Sequence, residues 1–320
     1  MLVLGAKGSH KTEASIARAA ASLGHQCRVL DVAGWHRRLG EAARPALEWA
    51  AKSFEPDVIV CTRHALLLGE ARLRRLITHR RAVFWYFDAV PTEQAFQLGR
   101  IVEQMYVTYA AEVPFFRAAG VPDVKFLPQA LDPWEDHPTD SVPPSFRCDV
   151  SFVGSGPYPY RWELLRAIGK VCTLQIRGPG WAEAPTDLPV VGGEIRGRRF
   201  AEAVLGAAVA LDAHAVPPRP GMHASASNRM WKVLGCGGFL LAPRVPGIEA
   251  FVREGEHCRY YGDTDEAVEA VRWALAHPEE RRRIAAAGQA HALGHHTYAH
   301  RVRLLIEARG YPLGTVESTA

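Results

Sequence analysis

The sequence lacks several features that would each define a class of protein. Its six cysteines are scattered and form no C-x-x-C pair, so a disulfide-stapled miniprotein is ruled out and small buried thiols are expected. No apolar run approaches the ~20 residues that a membrane-spanning helix needs, and the opening Met-Leu-Val-Leu-Gly is not that of a signal peptide. These absences predict a cytoplasmic protein without a transmembrane segment.

The sequence also lacks a large excess of either positive or negative charge. The 38 Lys and Arg residues face 34 Asp and Glu residues, so the net charge is only +4, which by itself implies no nucleic-acid partner. Arginine clusters at 73–81 and 196–199 contain no interleaved aromatics and are interpreted as solvated faces, with a polyanionic acceptor as the alternative. The length of 320 residues, 48% of them hydrophobic, indicates one large globular domain or two smaller ones.

Short apolar runs alternate with amphipathic stretches along both halves of the chain. The runs that predict strands are 2–4, 27–32, 57–62, 82–87, 104–109, 124–127, 149–153, 173–176, 209–213 and 239–241. The stretches that predict helices are 11–23, 41–54, 66–79, 112–119, 161–168, 200–205, 227–234, 265–277, 278–291 and 296–308. Strands that are apolar on both faces and alternate with helices predict parallel sheets covered on both sides, that is, an α/β protein.

This pattern is interrupted once, between residues 128 and 147. The interruption contains five prolines and no hydrophobic period, which is typical of an interdomain linker. The sequence therefore predicts an N-terminal Rossmann-like domain over 1–127, the linker, and a C-terminal Rossmann-like domain over 148–294. Ligands of such doubly wound domains bind at the carboxyl ends of the strands, which for two domains means an interdomain cleft.

In the first half, Asp88 ends the apolar run Phe84-Trp85-Tyr86-Phe87 and is well placed to act as a base. A helix cap ahead of Pro91 is the alternative. The turn after the first strand, Gly5–Thr12, lacks the register of a phosphate loop because Lys11 follows His10 and not glycine. We expect a tight turn there that carries His10 near a ligand.

In the second half, Gly154-Ser155-Gly156 precedes a predicted helix that carries Arg161, and amides plus a guanidinium suit a diphosphate. The tract from Ser225 to Gly238 joins a polar helix start, two cations and a Gly-Gly pair, and these elements suit an anion and a close backbone approach to a sugar or nucleotide. Its candidate residues are Ser225, Ser227, Asn228, Arg229, Lys232, Gly237 and Gly238.

Metal ligands are not predicted. The histidines 291, 295, 296 and 300 include pairs at helical spacing, but no carboxylate lies near them in the sequence to complete a site. His-rich helix ends are commonly solvated, which is the simpler interpretation of these residues.

An ordered series of short motifs runs from Asp149 to Leu305. Its members are Asp149-Val-Ser-Phe-Val-Gly-Ser, Tyr160-Arg161, Ser227-x-Arg229, Gly235-Cys-Gly-Gly-Phe-Leu-Leu, Pro246-Gly-Ile-Glu249, Gly255-Glu256, Tyr260-Tyr-Gly-Asp263, His277-Pro-Glu and His296-Thr-Tyr-x-x-Arg301. The series covers about half of the chain and resembles the CgeB-like (spore-maturation type) GT-B glycosyltransferases. The N-terminal half is similar only in architecture and in the strand ending Trp85–Pro91.

The resemblance implies a GT-B fold and a glycosyltransferase that moves a sugar from a nucleotide-diphosphate donor. We expect this transfer to need neither a permanently bound cofactor nor a metal. The resemblance also implies an N-terminal domain that binds the acceptor, a C-terminal domain that binds the donor, and a last helix within 295–320 that crosses back to the first domain. Donor phosphates are then assigned to Arg161, Arg229, Lys232 and the Gly154–Gly156 turn. The nucleoside is assigned to the loop from Gly178 to Trp181 and to Ser225–Asn228, and the acceptor base to Asp88, with His10 as second choice.

One departure from related retaining enzymes leaves alternatives open. Where those enzymes carry two glutamates eight positions apart, this sequence has Ala224 and Lys232. Lys232 would then neutralise donor phosphate, or the protein is a noncatalytic GT-B-fold structural or carbohydrate-binding protein. A sugar-nucleotide epimerase is a further alternative. The acceptor remains open among a small molecule, a glycan and a protein.

Overall fold

The computed structural model describes residues 1–88, 90–215, 224 and 226–312. The chain divides into two compact units: the first combines residues 1–129 with 298–312, and the second comprises 130–297. Residues 130–147, the greater part of the predicted linker, thus belong to the second unit, where Leu131, Asp136 and Phe146 are buried.

The first unit is built on a six-stranded, all-parallel sheet in the order β2-β1-β3-β4-β5-β6. Its strands are β1 (Leu2–Gly5), β2 (Arg28–Asp31), β3 (Val58–Cys61), β4 (Arg81–Tyr86), β5 (Gln104–Val107) and β6 (Val124–Phe126). The helices up to the end of this sheet are α1 (Thr12–Ser22), α2 (Val32–Leu39), α3 (Arg44–Lys52), α4 (Glu70–Ile77), α5 (Glu93–Gly99) and α6 (Glu112–Ala118). The central strands are buried on both faces, as their continuous apolar sequences require.

The second unit repeats this architecture with the strand order β12-β11-β10-β7-β8-β9, again all parallel. Its strands are β7 (Cys148–Val153), β8 (Leu174–Arg177), β9 (Val190–Gly192), β10 (Ala207–Leu211), β11 (Leu240–Pro243) and β12 (Arg259–Tyr261). Its helices are α7 (Trp162–Gly169), α8 (Arg198–Leu205), α9 (Asn228–Gly235), α10 (Thr264–Ala276) and α11 (Pro278–His295). The winding direction reverses between β7 and β10, which is the switch point where doubly wound sheets bind ligands.

The last described helix, α12 (Tyr298–Ile306), belongs to the first unit and packs on α1. Its C-terminal carbonyls accept hydrogen bonds from Arg81 at the start of β4, at 2.5 Å for Leu305 and 2.6 Å for Ile306. Arg301 is buried and donates through Nε to the Pro128 carbonyl at 3.1 Å. The end of the chain therefore completes the unit that its beginning starts.

The prediction of two Rossmann-like domains with parallel sheets is confirmed, but four elements escaped the sequence analysis: α2, α5, β9 and β12. The prediction of a strand over 27–32 was wrong at Val32, because α2 begins there. The cause is Asp31, whose carboxylate accepts the Gly34 amide at 3.0 Å and so caps a helix directly after the strand. No helix in the described part of the chain is long and apolar enough to cross a membrane.

Candidate functional site

Two glycine turns meet at the carboxyl ends of β7 and β8. The amide of Gly154 donates to the Arg177 carbonyl and that of Gly156 to the Pro179 carbonyl, each at 2.8 Å. A Cβ on Gly178 would lie 2.0 Å from the Gly154 carbonyl oxygen, and the φ of Gly178 is +147°, so only glycine fits there. The backbone amides of Gly154 and Gly156, two of the three predicted to bind diphosphate, are thus already hydrogen-bonded to the end of β8 and the loop after it.

Trp181, which was predicted to contact the nucleoside, supports the same turn. Its Nε1 donates to the Gly154 carbonyl at 2.9 Å, its ring meets Phe152 edge to face, and the side chain is buried. Its hydrogen bond and its burial give Trp181 a place in the scaffold beneath the turn.

Arg161 is a buried cation that fixes two loops. Its Nη1 donates to the Ser155 carbonyl at 2.8 Å, while Nη2 and Nε donate to the carbonyls of Ala213 and His214, each at 3.2 Å. Burial lowers the pKa of Arg161 to about 10, so the guanidinium is still charged at neutral pH. It thereby holds the turn after β7 against the segment after β10 and places a positive charge between them.

Arg229, in the first turn of α9, points back to the same place. Its Nε donates to the Val153 carbonyl at 2.6 Å, and its Nη1 pairs with Asp212 Oδ1 at 2.5 Å. The Nη2 atom lies against the Gly154 turn, where an added Cβ would approach it to 2.3 Å. Nη2 has no hydrogen-bond partner among the described residues, so one corner of a fixed guanidinium is available at the strand ends.

Ser227 and Asn228 form the start of α9. Ser227 caps the helix by accepting the Met230 amide at 3.1 Å, and its hydroxyl donates to Asp212 Oδ2 at 2.5 Å. Asn228 is the first helical residue and is half-buried. The structure brings both residues to the edge where Arg229 lies, whereas Ser225 falls outside the described residues.

Lys232 is not brought to this edge as a free cation. Its Nζ pairs with Asp136 Oδ1 at 2.7 Å, and this carboxylate is buried. Burial raises the pKa of Asp136, while the Lys232 charge opposes that rise. The pair ties α9 to the segment before β7. Ala224, at the other position where related enzymes carry glutamate, is buried with its amide donating to the Pro246 carbonyl at 2.7 Å.

Gly237 and Gly238 lie between the end of α9 and the start of β11, at the amino edge of the sheet and away from the strand carboxyl ends. A Cβ on Gly238 would lie 2.2 Å from Val204 of α8, and Gly237, with φ at +80°, faces the Gln289 side chain. These two glycines allow helix packing and do not join the other predicted donor-binding residues.

A cavity of about 210 Å³ opens at the carboxyl ends of β10, β11 and β12. Its walls include Tyr160, Arg161, His214, Arg244, Tyr261 and Asp263. Because Arg161 borders both the cavity and the Gly154 turn, the cavity adjoins the predicted phosphate site. His214 and Arg244 were not identified from the sequence. Their only signal in the sequence was their position shortly after a predicted strand.

The side chains that most resemble metal ligands are bound to the backbone instead. The triplet Asp263-Thr264-Asp265 has the Asp-x-Asp form, but Asp263 caps α10 by accepting the Glu266 amide at 2.8 Å. His291 and His296 share the Phe251 carbonyl at 2.7 and 3.1 Å. Among residues whose structure is described, no group of three or more His, Cys, Asp or Glu could hold a metal ion.

Asp88 follows β4 at the carboxyl edge of the first unit's sheet. Both of its carboxylate oxygens lie 3.3 Å from Nη1 of Arg63, which follows β3, and the two side chains are exposed. His10 lies in the exposed turn after β1. His64 is half-buried, and burial, with the charge of Arg63 acting in the same direction, lowers the pKa of His64. Strand order therefore places these polar residues along one edge.

Glu13 is a buried carboxylate at this edge that sequence reasoning missed. Its Oε1 accepts the Ala6 amide and the Thr62 hydroxyl, each at 3.1 Å. The network joins the ends of β1 and β3 under the turn that carries His10. An acidic residue in the first turn of a helix was visible in the sequence, but its partner Thr62, forty-nine residues away, was not.

Comparison with solved structures identifies the fold. Across 96% of this chain the fold matches HepE of Anabaena in complex with UDP-glucose, with a TM-score of 0.65, 15% identity and 99% of that chain covered. It also matches a sucrose-phosphate synthase from Thermosynechococcus elongatus, with a TM-score of 0.67, 14% identity and 97% of that chain covered. A third match is the T4 phage BGT in complex with UDP and Mn²⁺, with a TM-score of 0.63, 11% identity and 97% of that chain covered. These likenesses establish the GT-B fold.

Part of the sequence matches a family model. Residues 161–307 match the family described as "Glycosyl transferase-like", and this segment contains Arg161, Asp212 and Arg229. The family match and the GT-B fold together support a glycosyltransferase. No curated protein sequence matches it.

Proposed function

We propose that this protein transfers a sugar from a nucleoside-diphosphate donor and that Arg229 is the main contact to the donor diphosphate. The observation that carries this proposal is the Nη2 corner of Arg229, which is held beside the Gly154 turn by bonds from Nε and Nη1. A pre-positioned guanidinium of this kind matches the geometry and charge of a phosphate group.

The chemistry of sugar transfer explains why a fixed cation is needed. Negative charge develops on the leaving diphosphate as the bond to the sugar breaks, and groups fixed in place stabilise it without reorganisation. Arg161 adds a buried positive charge behind the turn, and the Ser155 amide has no backbone partner among the described residues. These cations support transfer without a metal. Lys232, Gly237 and Gly238 are left out of the proposed contact set because of their packing roles.

Two observations support the donor class and the subgroup that we propose. UDP or UDP-glucose is bound in the HepE structures of the same fold, so uridine nucleotides are the first donors to test. The ordered motifs between Asp149 and Leu305 favour the CgeB-like subgroup.

Asp88 is our proposed base for the acceptor hydroxyl, with His10 as the second choice. Its carboxylate lies at a strand carboxyl end, and Arg63 fixes its orientation from the neighbouring strand end. A carboxylate so placed can accept the proton of an attacking hydroxyl.

Thermal unfolding with UDP, GDP, dTDP, CDP and ADP tests the donor site. A nucleotide at 100 times its Kd stabilises a protein by about 2.7 kcal/mol, which is a clear rise in Tm. We expect one nucleotide to stand out, R229A to abolish its effect, and EDTA to leave it unchanged. The matched control is R166A, which removes an exposed arginine of α7 that pairs with Asp187. A flat panel with wild-type protein would overturn the proposal and favour a noncatalytic protein.

A further inference from the structure

His214 follows β10 in a segment whose backbone is held unusually firmly. The Ala213 carbonyl accepts from Arg161 at 3.2 Å and from Arg229 at 3.3 Å, and the His214 carbonyl accepts from Arg161 at 3.2 Å. The carboxylate of Asp212 is bound by Arg229 and Ser227. His214 therefore has a defined position, and it forms part of the cavity wall beside Arg161.

The ring of His214 has an unused hydrogen-bonding atom. Its Nε2 is buried and has no hydrogen-bond partner among the described residues. A buried polar atom left without a partner has lost its hydrogen bonds to water and gained none in return, so such atoms call for a physical reason. A ligand entering the adjoining cavity would supply the missing partner.

The charges around the ring indicate the nature of that ligand. Burial lowers the pKa of His214; the charge of Asp212 opposes this, whereas the charges of Arg161 and Arg229 reinforce it. The imidazole is thus neutral at neutral pH beside two guanidiniums and one carboxylate, a net positive surrounding.

Farther around the cavity the acidic side chains outnumber the basic ones. Glu163, Arg244 and Asp263 form part of its wall, and Arg244 is already paired with Glu249 and Glu254. The hydroxyl of Tyr261, in β12, donates a hydrogen bond to the Asp212 carbonyl, so this side chain adds no charge to the wall. The excess positive charge is therefore on the side where His214 meets Arg161 and Arg229, and this side favours an anionic oxygen.

We propose that Nε2 of His214 donates a hydrogen bond to a phosphate oxygen of the nucleotide-sugar donor. The inference rests on the proposed function and adds a donor-contacting residue that lies outside the predicted set. The proposed bond requires the proton of the neutral ring to reside on Nε2, and in the imidazolium form the same bond gains a full positive charge. Bound phosphate stabilises the imidazolium, so binding takes up protons and is tighter at acidic pH.

The test is the pH dependence of donor affinity measured by calorimetry. UDP-glucose is the probe, because its diphosphate is esterified at both ends and does not itself titrate over the histidine range of about pH 5–8. If the nucleotide panel selects another base, the glucose ester of that nucleotide replaces it. Kd is measured across this range for wild type, H214A, H214Q and H25Q, the last changing an exposed histidine of the first unit.

For wild type and H25Q we expect Kd to fall several-fold from about pH 8 to about pH 5 as the ring charges. H214Q, whose amide can donate without charging, should bind within about threefold of wild type at pH 8 and lose the pH dependence. H214A should bind about tenfold more weakly at pH 8, the loss of one hydrogen bond to an anion. A Tm for each variant separates lost binding from lost folding, and H214Q provides the comparison if H214A is unstable.

The outcomes separate this inference from the proposed function. If wild type binds no nucleotide sugar, the proposed function fails and this inference fails with it. If wild type binds, but H214Q keeps the full pH dependence or folded H214A keeps full affinity, His214 does not contact the phosphate and the donor site at Arg229 still stands.

Discussion

At the scale of single residues, the candidate donor site depends on a close fit between a glycine and an arginine. Arg229 reaches from α9 to the end of β7, and the space that its Nη2 occupies is the space that a side chain at position 154 would need. Gly154 is therefore required by a contact to a residue 75 positions later in the chain, and not by its own turn alone.

Replacing Gly154 by alanine should test this contact. The new Cβ would lie 2.3 Å from Arg229 Nη2 and 2.8 Å from the Phe152 ring, so we expect a loss of about 1–3 kcal/mol in unfolding free energy and weakened nucleotide binding. Urea unfolding and calorimetry measure the two effects. G193A is the matched control, because nothing lies within 4 Å of its added Cβ; equal behaviour of the two variants would contradict the account.

Asp88 carries a second residue-scale prediction. D88N keeps the size of the side chain but removes its basicity, so sugar transfer should fall by at least about 100-fold, the usual contribution of a general base. Nucleotide affinity should stay within about twofold of wild type, because the donor contacts lie in the other unit. Turnover and Kd are measured in parallel, with E103Q as the exposed carboxylate control of the first unit. If D88N keeps full turnover, Asp88 is not the base, and His10 or another residue has that role.

At the scale of elements, the Lys232–Asp136 pair fixes the orientation of α9. Lys232 is partly exposed whereas Asp136 is almost fully buried, so the carboxylate depends on the lysine for its charge. Residues 130–147 consequently pack as part of the second unit, and α9 presents Arg229 to the strand ends from one end while Lys232 anchors its middle.

K232M should destabilise the protein without weakening donor binding. Removing the lysine leaves a buried carboxylate unpaired, which costs about 3–5 kcal/mol at neutral pH. The pKa of Asp136, already raised by burial, would rise further. A raised pKa in the folded state means that the folded state becomes less stable as the pH increases through that pKa. The loss of unfolding free energy in K232M should therefore shrink as the pH falls toward the ordinary Asp value of 3.8. Unfolding titrations at several pH values measure this, with exposed Lys170 changed to methionine as control. A loss of nucleotide affinity with unchanged stability would restore Lys232 to the donor site.

At the scale of the whole molecule, the first unit is assembled from both ends of the chain. The helix α12 packs on α1, and Arg81 and Arg301 join it to β4 and to the Pro128 carbonyl. The described residues of the second unit, by contrast, all lie between residues 130 and 297.

A chain that ends at Thr297 should therefore lose stability unevenly. Without α12 the helix α1 loses one of its packing partners and Arg81 loses its bonds to the Leu305 and Ile306 carbonyls, so hydrogen exchange should become faster in β4 and β5. Protection in β7 and β10 should change little, because opening energies are local to cooperative units. Equal loss of protection in both sheets would contradict the division into two units.

The sequence predicted the sheets well because buried parallel strands are apolar on both faces, as in the run Phe84-Trp85-Tyr86. It also indicated Arg161 and Arg229 as cations near strand ends. It could not show which residues they bind: the partner of Lys232 lies 96 positions upstream. The Gly237-Gly238 pair illustrates the same limit, since glycine serves helix packing and ligand approach equally and only the neighbour Val204 distinguishes them.

Release of free nucleotide and sugar from nucleotide sugars tests the central claim most directly. The purified chain is incubated with UDP-glucose and its GDP, dTDP, CDP and ADP counterparts, and chromatography follows the nucleotide, the free sugar and any epimerised donor. We predict slow hydrolysis of one donor, with nucleotide and sugar released in equal amounts by wild type and R166A and none by R229A. Conversion to an epimer would identify an epimerase, and every donor remaining intact would contradict the account of this chain as an active sugar transferase.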